Sequence, residues 1–286
     1  MAEGTQKHPP PNVPERAKIS VRHVVLILSG KGGVGKTTVA TNLAFAFANH
    51  GFKTGLLDLD IHGPDIPKML GIEGRRMASY DQKQMEPVPV TGNLAVVSMA
   101  FLLPETSSPV IWRGPMKMHV IQQLLRDVQW GECDYLIIDS PPGTGDEPLS
   151  VCQSIDNVDG GILVTTPQDV AVSDVRRSLT FCRKLKLPVL GVIENMSGFV
   201  CPSCGTVTDI FKAGGGSRMA EDMGVGFLGR IPLDPRLVAA SDAGEVLTEQ
   251  QAGNETATAF GRIVETLLDA HFAADQPNSE QTPDPS

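Results

Sequence analysis

The sequence predicts an α/β fold, a mostly parallel sheet with helices on both faces. Two observations carry this. Short β-branched or Leu-rich runs recur along the chain, and they are apolar throughout rather than alternating with polar residues. Segments with helical spacing separate most of them. Strands that are apolar on both faces and alternate with helices belong to a parallel sheet covered on both sides. In such a sheet ligands sit at the carboxyl ends of the strands, so the motifs below are expected along that edge.

Taken in order, the first strand is "HVVLIL" (23–28), followed by a helix from Thr37 to Asn49. "TGLLDL" (54–59) and "LAVVSM" (94–99) give the next two strands, and Met116 to Val128 a helix. "YLIID" (135–139) and "GILVTT" (161–166) are strands, with a helix from Val172 to Leu185 after them. "VLGVIE" (189–194) and "FLGRI" (227–231) complete the set. A last helix, about Glu255 to Phe272, carries Phe260, Ile263, Val264, Leu267 and Leu268 at core spacing. No repeat or linker interrupts residues 21–272, which are read as one domain. Residues 1–20 and 273–286 are rich in Pro and polar residues with little to bury, and both are expected to be disordered tails.

The 24 Lys+Arg against 33 Asp+Glu give a formal charge of −9, which argues against a surface built for nucleic-acid phosphates or anionic lipid. Five cysteines, an odd number, fit no small secreted disulfide framework and point to a reducing compartment. The start "MAEGTQKHPPPNVPERAK" has no apolar core of a signal peptide, and no apolar run approaches the ~20 residues of a membrane span. A soluble, cytoplasmic protein with no membrane or nucleic-acid partner is expected.

"SGKGGVGKTT" (29–38) follows the first strand and opens a helix, fitting the phosphate-loop pattern at Gly30, Gly35, Lys36 and Thr37. Glycines let successive backbone N–H groups turn onto a phosphate, and the helix amino end adds partial positive charge. Lys36 is placed to reach the β and γ oxygens and Thr37 to ligate Mg²⁺. Gly30, Lys31, Gly32, Gly33, Val34, Gly35, Lys36, Thr37 and Thr38 are therefore the candidate phosphate-binding stretch. Asp58 and Asp60 end the second strand with period-2 spacing. Asp139 closes an apolar strand at the position that holds Mg²⁺ through water, and the amide of Gly143 follows where it could sense a γ-phosphate.

Lys31 is a second loop lysine, and "GKGGVGKT" resembles the deviant Walker A loop of the MinD, ParA and nitrogenase iron-protein class. The resemblance implies that two subunits sandwich ATP, with Lys31 reaching the partner's nucleotide. It further implies that Asp60 orients the attacking water, that Asn195 in "ENMSG" hydrogen-bonds adenine, and that Asp234 in "IPLDP" contacts the base or ribose.

"GFVCPSCG" (198–205) places Cys201 and Cys204 three positions apart, a spacing at which two sulfurs converge on one ion. Cys133, Cys152 and Cys182 supply no second pair and read as buried small hydrophobes. A four-thiolate site would need a second copy of the chain about a two-fold axis. Structural zinc and a redox dithiol stand as alternatives, although no cation or helix amino end flanks the pair to lower a thiol pKa. The motifs "DLDIHGPDIPKMLG", "VIWRGPM", "DYLIIDSPPGTGDE", "TTPQDVAVSDVRRS", "ENMSGFVCPSC" and "GRIPLDP", over about residues 20–245, resemble the Mrp/ApbC family of iron–sulfur P-loop ATPases.

That likeness implies a homodimer binding ATP, Mg²⁺ and a [4Fe-4S] cluster on Cys201 and Cys204 of both protomers. Apo iron–sulfur proteins are the implied acceptors and cluster-assembly scaffolds the implied donors. The chain shows no Cys-rich amino-terminal extension, so a stable second cluster is not expected. Two other functions use the same loop, a positioning ATPase and an ATP-driven electron-transfer protein. The short path from Asn195 to Cys201, within roughly 20 Å even when extended, suggests that nucleotide state reaches the thiols, with Ser197 and Gly198 as a flexible part. Trp112, Arg113 and Gly114 read equally as a border of the site or as packing and capping, and His62 reads as a solvated loop residue.

Overall fold

A computed structural model describes residues 16–60, 63–80, 84–102, 114–201, 203–204, 206–247 and 255–275. His62, Trp112 and Arg113 lie outside the described residues, as do 1–15 and 276–286. The chain runs β1 (His23–Ser29), α1 (Lys36–Asn49), β2 (Thr54–Asp58), α2 (Ile66–Met69), β3 (Ala78–Tyr80), β4 (Gln84–Glu86), β5 (Val88–Pro89) and β6 (Leu94–Ser98). Then come α3 (Gly114–Asp127), β7 (Tyr135–Asp139), α4 (Asp146–Ser154), β8 (Gly160–Thr165), α5 (Asp169–Leu185) and β9 (Val189–Glu194). The last part holds β10 (Phe199–Val200), β11 (Val207–Thr208), α6 (Gly215–Met223), β12 (Phe227–Arg230), α7 (Pro235–Ala243) and α8 (Glu255–His271).

Among the described residues eight strands form one sheet in the order β12-β9-β8-β1-β7-β2-β6-β5. Seven run parallel, and only the two-residue edge strand β5 pairs antiparallel, with β6. Side chains alternate between two cores, as a strand's period of two requires. Val25 and Ile27 of β1 join α1 and α8 on one face, while Val24, Leu26 and Leu28 join α3, α5 and α6 on the other. The apolar stripe expected on the last helix is buried, from Phe260 through Leu268, against α1 and the sheet. Burying each such Leu, Ile or Phe contributes about 1.5–3 kcal/mol before ordering costs. The stripe is thereby unavailable to lipid.

The registers bring three strand ends together. Ile27 of β1 pairs with Asp139 of β7, and Asp58 of β2 pairs with Asp139 from the other side. The phosphate loop leaves β1 at the middle of the sheet, between β7 and β8, where chain connections diverge in opposite directions. That crevice is the ligand-binding position of open α/β sheets.

Part of the stretch expected as an amino-terminal tail is anchored on the fold. Ala17 and Ile19 are buried, Ala17 N–H donates to the Ser154 carbonyl at 2.7 Å, and Ile19 exchanges two hydrogen bonds with Asn157. The Pro and charge of the first residues mask this short anchored stretch in any composition average. At the other end, residues 273–275 form a helical turn rather than starting a tail.

Candidate functional site

The phosphate loop takes its shape from what packs against it. A Cβ on Gly30 would lie 2.6 Å from the Asp174 backbone of α5, so the first glycine lets that helix approach. Gly35 sits at φ 81°, caps α1, and would put a Cβ 2.3 Å from Asn195 Nδ2. Only glycine meets both demands there. Ser29 Oγ donates to the Lys31 carbonyl at 3.0 Å, Val34 is buried, and Gly32 and Gly33 stand exposed. The amino end of α1 has no side-chain cap and no acidic residue in its first turn, leaving its N–H dipoles for an anion.

Lys36 Nζ donates to Asp139 Oδ1 at 2.5 Å and Thr37 Oγ1 to Asp139 Oδ2 at 2.7 Å. Loop and strand end thus meet as the motifs require. Asp58, fully buried, accepts from Ser98 Oγ at 2.8 Å and from the Asp60 N–H at 3.1 Å. Asp60 lies just past β2 and is half-buried. Burial pushes the Asp58 carboxyl well above the ordinary range, and the charge of Asp139 adds to it. Burial also raises Asp139, against the opposing pull of Lys36.

Asp139 and Asp58 beside Lys36 offer hard oxygen donors, which with the Thr37 hydroxyl fit Mg²⁺. Thr37 and Asp139 are the residues that would hold the ion, which when bound neutralises phosphate charge. The two raised carboxyls keep protons that the unfolded chain would release. Their stabilisation is therefore present below the ordinary carboxylate value and is lost as pH rises through the folded one. Asp58→Asn, which can still bond Ser98 and Asp60, should raise the melting temperature at pH 7, by about 2–4 °C for each kcal/mol of burial cost and repulsion removed. A thermal melt showing no rise would contradict the cost of holding this carboxyl buried beside Asp139.

Gly143, at φ 92°, gives its N–H to the Ser29 carbonyl at 3.0 Å. It reaches a phosphate only by giving up that bond. Asn195 and Asp234 line one cavity of about 300 Å³ with Thr38, Met196, Leu233 and Leu237. Asn195 is buried and its Nδ2 donates to the Val34 carbonyl at 2.9 Å, joining the cavity wall to the phosphate loop. Asp234 lies on the wall of that cavity with its carboxylate already engaged. It caps α7 through Arg236 N–H at 2.9 Å, pairs with the Arg236 guanidinium, and accepts from Thr256 Oγ1 at 2.7 Å. Burial raises its carboxyl, but these hydrogen bonds outweigh that and hold it below the usual range. Its place on the wall, rather than a free carboxylate, is what it offers.

Cys201 and Cys204 flank the turn of the β10–β11 hairpin. Cys201 is half-buried, with its N–H on the Thr206 carbonyl at 3.0 Å, and Cys204 is exposed, with Sγ donating to Thr206 Oγ1 at 3.2 Å. Hydrogen bonding with the Thr206 hydroxyl and backbone, then with Cys201, lowers the Cys204 thiol. The sequence pattern contained no such signal, since the hydrogen-bond partners are neutral neighbours and not a cation. Among the described residues no three His, Cys, Asp or Glu side chains converge, so the pair offers two ligands.

The other thiols differ in kind. Burial pushes Cys133 and Cys152 up to about 12 and Cys182 to about 11. Cys133 and Cys182 are buried as expected, whereas Cys152 is half-buried against the same core. A thiol-alkylating reagent at pH 8 should therefore label Cys204 first and leave Cys133 and Cys182 unmodified in the fold. Above the ordinary thiol value of 9.0 the unfolded chain loses protons that these buried groups keep. Stability should consequently fall between about pH 9 and 12, as urea titrations across that window would read.

The model of the ParA-type "NUBPL iron-transfer P-loop NTPase" family matches residues 20–268. The chain belongs to the NUBPL iron-transfer family of P-loop NTPases. This NUBPL-family chain is 51% identical over 249 residues to an iron-sulfur cluster carrier protein of Methanocaldococcus jannaschii, covering 86% of each. It is 48% identical over 232 residues to the cytosolic Fe-S cluster assembly factor CFD1 of Saccharomyces cerevisiae, covering 79% of each. Among solved structures it is similar to a nucleotide-binding protein of Archaeoglobus fulgidus in complex with ADP. The TM-score is 0.70 and the identity 39%, over 79% of this chain and 88% of that one. The septum site-determining protein MinD of Pyrococcus horikoshii, with Mg-ADP, shares the fold at TM-score 0.64 and 22% identity, over 90% and 99%.

For this NUBPL-family chain, the expected parallel sheet is what the structure has. Among the described residues no helix is long and apolar enough to cross a membrane. Sequence reasoning missed Glu194 and the glycine triplet Gly214–Gly215–Gly216, which lie against one another beside the cysteine hairpin. A Gly-rich run opening an amphipathic helix was the available signal.

Proposed function

We propose that two copies of this chain close around ATP and hold a [4Fe-4S] cluster on Cys201 and Cys204 of each, carrying it from cluster-assembly scaffolds to apo iron–sulfur proteins. The observation that carries this is a half-site of two accessible thiols joined by a short, braced strap to the nucleotide cavity. Ser197 N–H donates to the Ile231 carbonyl at 2.9 Å, and Leu233 N–H to the Gly198 carbonyl at 2.8 Å. Leu233 and Asp234 then continue into the cavity wall. The strap is thus pinned, not flexible at Ser197 and Gly198, and suits transmission by a rigid shift.

Support for a second copy comes from the surface around the thiols, where Val207 and Ile210 are exposed on the hairpin arm and Val170 on α5. Lys212 and Asp169, 2.6 Å apart, tie that arm to α5. In the proposed reaction water attacks the γ-phosphorus, the bond to the β-bridging oxygen breaks, and ADP and phosphate leave. Lys36 and the partner's Lys31 neutralise the departing charge, Asp60 orients the water, and Gly143 senses the γ-phosphate. Asn195 holds adenine. The names of the relatives support cluster carriage over surface positioning, and the yeast relative's name supports a cytosolic setting.

Anaerobic transfer from reconstituted protein to an apo acceptor tests the coupling. Rates in ATP, in ADP and without nucleotide should differ. Equal rates in all three would remove the link between nucleotide and cargo. Zinc without acid-labile sulfide in protein purified anaerobically would remove the cluster itself.

A further inference from the structure

We propose that Glu194 is the positioning residue of the thiol pair, a clasp that fixes both ends of the cysteine-bearing excursion from 197 to 216. The inference rests on the cluster-carrier reading for its consequence, though the clasp itself is a property of the chain. Glu194 closes β9 and is completely buried. Oε1 accepts from Ser197 Oγ at 2.5 Å, where the excursion leaves the sheet, and from Gly214 N–H at 2.8 Å, where it returns. Oε2 accepts from Gly216 N–H.

A buried carboxylate is stable only when donors surround it, and here Ser197 and the amino end of α6 with its dipole supply them, while the Arg230 guanidinium, whose Nε lies 3.7 Å from Oε1, adds positive charge. The sequence around this helix explains the rest. Gly214 has φ 78°, a Cβ on Gly215 would lie 2.4 Å from the Pro167 carbonyl oxygen, and one on Gly216 would lie 3.0 Å from Glu194 Oε2. The triplet therefore lets the loop close on the carboxylate. It looks like a second anion-binding loop, but the anion is the chain's own side chain. The next residue, Asn195, bonds the phosphate loop through the Val34 carbonyl. Consecutive residues thus grip the nucleotide loop and the base of the thiol hairpin.

Glutamine at 194 keeps the size but turns one acceptor into a donor facing an N–H or O–H group. In Glu194→Gln, amide exchange at Cys201, Gly214 and Gly216 should speed up by roughly tenfold or more, the loss expected for a charge-assisted hydrogen bond. Exchange in β1 and β7 should stay as in wild type, and iron release to a chelator should accelerate in parallel. Ser197→Ala, which removes only the entry bond, should do the same more weakly, and Ser197→Thr should restore wild-type behaviour.

Unchanged exchange in Glu194→Gln would overturn the clasp. Faster exchange with wild-type iron release would overturn its role in positioning the thiols. If wild-type protein itself holds no iron on the pair, the cluster-carrier reading fails and the positioning role falls with it. Exchange then still reports on the clasp, so the two failures are distinguishable.

Discussion

Lys36→Ala should cut ATP turnover by about 10²–10³-fold or more, the scale seen when one preorganised donor is removed from a site that stabilises developing negative charge. It should also destabilise the fold. Lys36 is 5% exposed and its partner Asp139 is wholly buried, so the substitution leaves a carboxylate in the core without its cation. Breaking such a pair from one side costs about 3–5 kcal/mol, lessened here to the extent that Asp139 takes up a proton. Adding Asp139→Asn removes the orphaned charge. The double variant should recover most of the lost melting temperature and none of the turnover. Phosphate release and thermal melts on wild type, both single variants and the double variant separate the two effects. A double variant as unstable as Lys36→Ala would show that the pair is not what the lysine stabilises.

Cys204→Ala should abolish cluster retention while leaving ATP binding intact. The pair supplies two sulfurs per chain, and losing one leaves a four-coordinate site two ligands short once the second copy is counted. Alanine at Cys133, Cys152 or Cys182 should leave the cluster in place. At Cys133 and Cys182 the cost is packing alone, about 1 kcal/mol for a small cavity. Iron and sulfide assays after anaerobic reconstitution read the contrast. Retention of a full cluster by Cys204→Ala would assign the cargo to other ligands.

The long strands and helices were legible because burial on both faces leaves uninterrupted apolar runs. β9 spans the residues of "VLGVIE", and β7 those of "YLIID". The phosphate loop was legible because its glycines answer to local geometry, as at Gly35. The β10–β11 hairpin was not, since its strands are two residues long and held by the Ile231–Leu233 segment far along the chain. For the same reason Ser197 and Gly198 looked flexible. The capping role of Asp234 was hidden because an Asp before Pro reads the same whether it caps a helix or meets a base. Asp58 was visible as a carboxylate, but its burial against Ser98 depends on β6 lying beside β2.

Native mass of anaerobically reconstituted wild-type protein tests the central claim most directly. The account predicts a dimer of two chains holding four iron and four sulfide, with both lost in the Cys201→Ala/Cys204→Ala variant. A strictly monomeric species that retains iron, or iron kept by the double variant, would contradict it.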